Sequence, residues 1–192
     1  MPKVVVVYHS GFGHTKAVAE HVHKGAASVQ GVEASIISVD ELPQADADKN
    51  LGGRWNELHG ADAIVFGGPT YMGSVSADLK RVFETASIVW FEQRWKDKLA
   101  AGFTNGGSYS GDKVNALQDI WHNCMQHGMI WVGAADMMTG SDPDSINRMG
   151  SFAGMMAQSG NASPEETPPI GDRKTAELFG ARVAEAAVRW QT

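Results

Sequence analysis

Four consecutive valines, Val4 to Val7, run into Ser10-Gly11-Phe12-Gly13-His14-Thr15, and this junction constrains the fold more than any other stretch. From Lys3 to Tyr8 the residues are apolar in succession, which suits a strand covered on both faces, as in a parallel sheet. From Thr15 onward Val18, Val22, Gly25 and Ala26 recur at helical spacing and form one buried stripe. A buried strand that empties through two glycines into a helix start makes a cradle for an anion. The unpaired N–H groups of the first helical turn point outward, and the helix dipole favours negative charge there. Ser10 and Thr15 add hydroxyl donors, while Gly11 and Gly13 let the main chain approach closely. An ordinary strand–turn–helix connection shares this outline, so the loop alone does not decide the matter. Neither G-x-x-x-x-G-K-[ST] nor G-x-G-x-x-G is present, which argues against a nucleoside triphosphate and a dinucleotide fingerprint. What remains is a Ser-x-x-Gly-x-Thr loop suited to one terminal phosphate.

The rest of the chain repeats the strand–helix rhythm. Glu33 to Val39 alternates into a second strand, and Asp40 to Leu58 reads as a connection with a short helix at its end, anchored by Trp55. Ala61 to Phe66 is a third strand, ending in Gly67-Gly68-Pro69-Thr70-Tyr71-Met72-Gly73. Ser76 then caps a helix that buries Leu79, Val82, Phe83 and Ala86. Leu99 to Phe103 is a fourth strand, followed by the small polar loop Thr104 to Gly111 and a helix with Val114, Leu117, Ile120, Trp121 and Cys124 inward. Met129 to Val132 is the fifth. Ala134 to Gly171 breaks the rhythm with a long Gly-, Ser-, Met- and Pro-rich stretch, expected as an insertion near the ligand edge. Asp172 caps a final helix with Ala176, Phe179, Val183, Ala187 and Trp190 on one face. The expectation is a single α/β domain over residues 1–192, a doubly wound five-stranded parallel sheet.

Composition excludes several partners. The 192 residues carry a formal net charge of −6 with Lys and Arg scattered, which disfavours duplex nucleic acid and anionic membrane. The single cysteine, Cys124, cannot close an internal disulfide and falls on a core stripe. The valine run is too short for a signal-peptide core or a membrane span, so a cytoplasmic protein is expected. His21 and His23 point to different sides of their helix and make no metal pair, and no metal site is expected. No nucleophile–base or carboxylate pair of the kind hydrolysis needs stands out, which suits a protein whose cofactor carries the chemistry.

In doubly wound sheets ligands sit outside the carboxyl ends of the strands. Here the first, third and fourth strands all run into Gly/Ser/Thr-rich loops, so three such loops converge on one edge. The first suits phosphate. The other two offer backbone N–H and C=O groups flanked by Tyr71, Met72 and Tyr109. A flavin mononucleotide fits that description.

The ordered set Ser10-Gly11-Phe12-Gly13-His14-Thr15, Gly68-Pro69-Thr70-Tyr71-Met72-Gly73, Trp90, Gly128-Met129 and Ser151-Phe152-Ala153-Gly154 resembles the flavodoxin superfamily. Within it, the chain is similar to the Trp-repressor-binding-protein type of NAD(P)H:quinone oxidoreductase, over nearly its whole length. The resemblance implies a flavodoxin-like sheet of order 2-1-3-4-5, FMN as cofactor, and two-electron reduction of quinones by NAD(P)H in a homotetramer. It places the phosphate loop on Ser10, Gly11, Phe12, Gly13, His14 and Thr15. The first isoalloxazine loop falls on Pro69, Thr70, Tyr71, Met72 and Gly73, and the second on Asn105, Gly106, Gly107, Ser108, Tyr109 and Ser110. It puts Trp90 beside the flavin face, and Gln126 or His127 near the quinone oxygen. The chain departs from the type in three places. Its second loop is a shorter variant, Gln126-His127-Gly128 stands where His-His-Gly is common, and the 40–58 connection is shorter. The rival expectations are a single-electron carrier and a flavin-binding regulatory protein.

Overall fold

The computed structural model describes residues 1–191. β1 (Lys3–Tyr8), β2 (Glu33–Ser38), β3 (Ala63–Tyr71), β5 (Leu99–Gly106) and β6 (Ile130–Trp131) follow one another in the sheet order β2-β1-β3-β5-β6, all parallel. Numbering these five positions alone gives the order 2-1-3-4-5 that the family resemblance implies. Two short strands complete the sheet: β4 (Ser74–Val75) pairs antiparallel with β3, and β7 (Met155–Gln158) pairs parallel with β5.

The valine run shows why both faces are covered. Val4 and Val6 enter the core beneath α1 (His14–Ala27) and α6 (Ile170–Trp190). Val5 and Val7 enter the opposite core, beneath α2 (Trp55–Gly60), α3 (Ala77–Thr85), α4 (Ser87–Phe91) and α5 (Lys113–Gln126). Period-two alternation therefore distributes one apolar strand between two cores. α1 and α6 approach backbone to backbone: a Cβ on Gly25 would strike the Glu177 carbonyl, and one on Gly180 the Val22 carbonyl. Among the described residues, no helix is long and apolar enough to cross a membrane.

Several elements differ from expectation. β3 and β5 run on to Tyr71 and Gly106, beyond the predicted Phe66 and Phe103, because the Gly-rich ends still pair, Gly67 with Phe103 and Pro69 with Asn105. The missing side chain at Gly67 is what admits the Phe103 ring. The fifth position is split. β6 pairs only with Leu99 and Ala100, and β7, from inside the segment expected to lack regular structure, pairs with Phe103 to Gly106. Asp172 is not the cap of α6, whose N-cap is Pro169; it is buried in the first turn against Arg148. Val114, Trp121 and Trp190, expected inside, are exposed.

Candidate functional site

A cleft of ≈ 440 Å³ opens at the carboxyl ends of β1, β3 and β5. It is lined by Ser10, Gly11, Phe12, His14 and Thr15, by Pro69, Thr70 and Tyr71, and by Asn105, Gly106 and Gly107. The three loops singled out in the sequence therefore meet. Ser159, Gly160 and Asn161, just after β7, close the remaining wall and were not among the predicted residues.

The first loop has the form an anion needs. Gly13 holds a left-handed φ of 90° ahead of α1, and Ser10 Oγ accepts its N–H at 3.1 Å. The first helical bond runs from Ala17 N–H to the Gly13 carbonyl, so the N–H groups of His14, Thr15 and Lys16 precede the ladder. A Cβ on Gly11 would stand 2.5 Å from the Tyr71 hydroxyl, and one on Gly13 2.7 Å from Pro164 Cγ. His14 lines the cleft and its Nε2–H donates to the Ala162 carbonyl at 2.8 Å. That bond ties the 159–164 segment to the phosphate loop. Arg173 secures the same segment, donating to the carbonyls of Pro164, Glu165 and Pro168.

The second loop is a tight hairpin. Met72 and Gly73, with φ of 50° and 79°, form the two-residue turn between β3 and β4. Both central residues lie at positive φ, as the favoured type I′ hairpin requires. Met72 stands fully exposed at the tip. α5 pins the hairpin: Asp119 accepts from Ser74 Oγ at 2.6 Å and Val75 N–H at 3.2 Å, and Asn115 donates to the Gly73 carbonyl at 2.7 Å. Burial pushes the Tyr71 phenol above its ordinary pKa, which keeps it a protonated donor.

The third loop is held from below. Thr104 Oγ1 donates to the Gly68 carbonyl at 2.8 Å and accepts from Thr70 Oγ1 at 2.7 Å. Asn105 Oδ1 accepts from Ser159 Oγ at 3.0 Å, and Gln158 Nε2 donates to the Gly107 carbonyl at 2.9 Å. Tyr109 is exposed, with the Arg148 guanidinium 5.3 Å from its ring centre. Ser110 accepts from Lys113 N–H at the start of α5. Ser108, Tyr109 and Ser110 thus extend the loop beyond the residues that line the cleft.

Trp90, Gln126 and His127 do not reach this cleft within the chain, against the expectation. The helices that carry them run antiparallel to the strands. α3 and α4 bring Trp90, and α5 brings Gln126 and His127, back toward the amino edge of the sheet. Trp90 is half-exposed, edge-on to Phe91, and lines a separate cavity of ≈ 740 Å³ with Leu51, His59 and Arg94. His127 is buried against Trp95, ring centres 4.6 Å apart, and burial pushes its pKa down to about 4. His21 and His23 have separate partners, the Glu177 carboxylate and the Ala34 carbonyl. Cys124 is fully buried, its thiol pushed far up by desolvation.

The cleft fits a flavin mononucleotide. Its volume lies in the usual cofactor range, roughly 300–1,000 Å³. One end offers a glycine-walled helix start, and the other two loops offer backbone amides and exposed rings.

The comparisons point the same way. Residues 2–144 match the model of the NADPH-dependent FMN reductase family. The chain is 40% identical over 190 residues to flavodoxin FldP of Pseudomonas aeruginosa, covering 96% of each protein. It is 30% identical over 201 residues to an NAD(P)H dehydrogenase (quinone) of Archaeoglobus fulgidus, covering 97% of this chain and 98% of that one. Among solved structures it resembles a WrbA-like flavodoxin from Agrobacterium tumefaciens, with a TM-score of 0.75, 38% identity, and coverage of 98% of this chain and 99% of that one. The chain belongs to the NADPH-dependent FMN reductase family, as a flavodoxin-like protein of the WrbA type that binds FMN.

Proposed function

We propose that the protein takes a hydride from NAD(P)H and reduces quinones by two electrons. The observation that carries this reading is the character of the cleft: hydrogen-bonding loops lined by the exposed rings of Phe12 and Tyr71. Flat, partly apolar molecules such as a nicotinamide or a quinone can stack on such rings. The family's NADPH dependence and the quinone named for the Archaeoglobus relative support the same direction.

Bound FMN supplies the redox chemistry, and the chain's own residues bind, orient and shield it. Ser10 to Thr15 receive the phosphate, with the N–H groups at the start of α1 offsetting its charge. Pro69 to Gly73 and Asn105 to Ser110 hold the ring system. The pinning of the hairpin by Asp119 and Asn115 fixes one edge of the slot. Ser159 to Asn161 exclude water from another side. With one slot for both substrates, NAD(P)⁺ must leave before the quinone enters, so the kinetics are ping-pong. We further propose a homotetramer, in which Trp90 serves as a substrate wall only across a subunit boundary. Light scattering that finds a monomer at micromolar concentration removes that part.

The second reading is a single-electron carrier, favoured by the flavodoxin named among the relatives. Anaerobic mixing with NADH or NADPH, then benzoquinone, separates the two. Rapid bleaching of the flavin followed by two-electron reoxidation supports the reductase. A flavin that neither nucleotide bleaches leaves the carrier.

A further inference from the structure

A buried cation stands directly behind the third loop. Lys113, the first residue of α5, is 1% exposed. Its ammonium donates to the Ala157 carbonyl at 2.9 Å and meets Met149 Sδ at 3.4 Å. Ala157 lies opposite Asn105 in the β5–β7 register. The lysine stem backs Gly106: a Cβ there would stand 3.4 Å from Lys113 Cδ. Asn105 and Gly106 both line the cleft, so the charge sits one strand behind its wall.

Its surroundings leave that charge uncompensated. Arg148 and Asp172 are the buried charged neighbours, both side chains 2% exposed and paired at 2.7 Å, so they offset each other. Tyr109 lies against Arg148, the exposed Asp112 stands at the N-cap of α5 just before Lys113, and Gly106, Ala157 and Met149, facing from β5, β7 and the insertion, carry no titratable group. The buried cluster is therefore net positive while Lys113 is protonated. Burial lowers the lysine pKa to about 8, with Asp172 raising it and Arg148 lowering it. A methionine or leucine would fill this space without the desolvation cost, so packing alone does not account for the lysine.

We propose that Lys113 is a potential-setting residue whose buried ammonium favours the two-electron-reduced, anionic form of the cofactor bound in the cleft. The inference rests on the reductase reading and deepens it. A hydride from NAD(P)H brings two electrons and one proton to the neutral flavin ring and leaves NAD(P)⁺ behind. The ring thereby gains one negative charge. A cation buried within the protein acts on that charge with little screening by water or salt. Lys113 does not line the cleft, so it would act through the field rather than by contact.

The test is potentiometry and FMN titration of the full chain, wild type beside Lys113→Met and Lys113→Gln. Glutamine keeps a donor for the Ala157 carbonyl without the charge, and methionine keeps the bulk. Both variants should bind oxidised FMN within about threefold of wild type and reduced FMN about tenfold more weakly. That tenfold lowers the two-electron midpoint potential by about 30 mV, and the shift should persist in high salt. A second readout needs no variant. Between its pKa with oxidised and its pKa with reduced cofactor, Lys113 should take up part of a proton on reduction, so the wild-type slope steepens there from about 30 to about 45 mV per pH unit for a tenfold coupling. Both variants should show the one-proton slope of about 30 mV per pH unit.

A one-proton slope throughout in wild type overturns the proposal, even where the variants fail to fold. So does a potential unchanged in both variants, or one lowered by methionine and not by glutamine, which marks a structural effect. A wild type that shows the steepened slope but no turnover with NAD(P)H and quinone removes the reductase reading and leaves the field effect standing.

Discussion

At Gly13 the backbone lies at φ 90°, and a side chain would meet Pro164. Gly13→Val should cost about 1–2 kcal/mol from the left-handed backbone alone and abolish the quenching of FMN fluorescence on titration. Retained quenching would place the phosphate elsewhere. His127 gives the opposite lesson. Its imidazole is buried against Trp95, Nδ1 without a hydrogen-bond partner among the described residues, and its pKa is lowered to about 4 from 6.5. The unfolded chain therefore takes the proton more readily than the folded one. Stability from this group is complete above pH 6.5 and drains as the pH falls toward 4, by about 2 kcal/mol after allowance for solvent screening. Urea unfolding at pH 7.5 and pH 4 should show that loss in wild type and a smaller one in His127→Phe. The same variant should bind FMN normally, because the residue lies at the far edge of the sheet. That the first loop opens on the cleft was legible because strand, glycines and helix start are contiguous in sequence. The resemblance put Gln126 or His127 near the quinone oxygen, but within this chain fourteen residues of α5 carry the backbone about 21 Å back from the cleft.

At the scale of elements, the alternation of strands and helices followed from apolar periodicity, the sheet order from the family resemblance, and the first half of the fifth position, at Ile130 and Trp131, from its apolar run; its second half did not. Met155-Met156-Ala157-Gln158 has no pattern of its own. It is a strand because Phe103 to Gly106 offer an edge, and because Asp172 Oδ2 accepts the Gln158 N–H at 2.8 Å. Ser159 to Asn161 were missed with it, since their place in the wall depends on that pairing. The Arg148–Asp172 pair joins this strand to α6, and breaking it leaves an uncompensated buried charge. Asp172→Ala should cost about 3–5 kcal/mol. Arg148→Met with Asp172→Leu should recover much of that loss; urea unfolding of single and double variants measures the coupling. The α1–α6 contact makes a second demand. Gly180→Val would drive a side chain into the Val22 carbonyl and should lower stability by about 1–3 kcal/mol through overpacking. An unchanged unfolding midpoint would mean the helices can slide apart freely.

Across the whole molecule, the cleft draws its walls from β1, β3 and β5 and from the segment after β7, so a ligand there links parts far apart in sequence. FMN at one hundred times its dissociation constant should stabilise the fold by about 2.7 kcal/mol. If Ser10 to Thr15 receive the phosphate as proposed, riboflavin, which lacks it, should raise the thermal midpoint far less at equal concentration. Equal shifts from the two would mean that the first loop contributes no affinity. The split fifth strand has one more consequence. The chain leaves the sheet at Trp131 and re-enters the same strand position at Met155, so the excursion is anchored at both ends against β5. Its exposed tip near Ser141 and Asp142 can lengthen without altering either anchor. Each doubling of such a loop costs only about 0.6 kcal/mol in closure entropy. That tip is therefore a natural port for grafting: a reporter peptide or small domain inserted between Ser141 and Asp142 should leave the FMN site assembled.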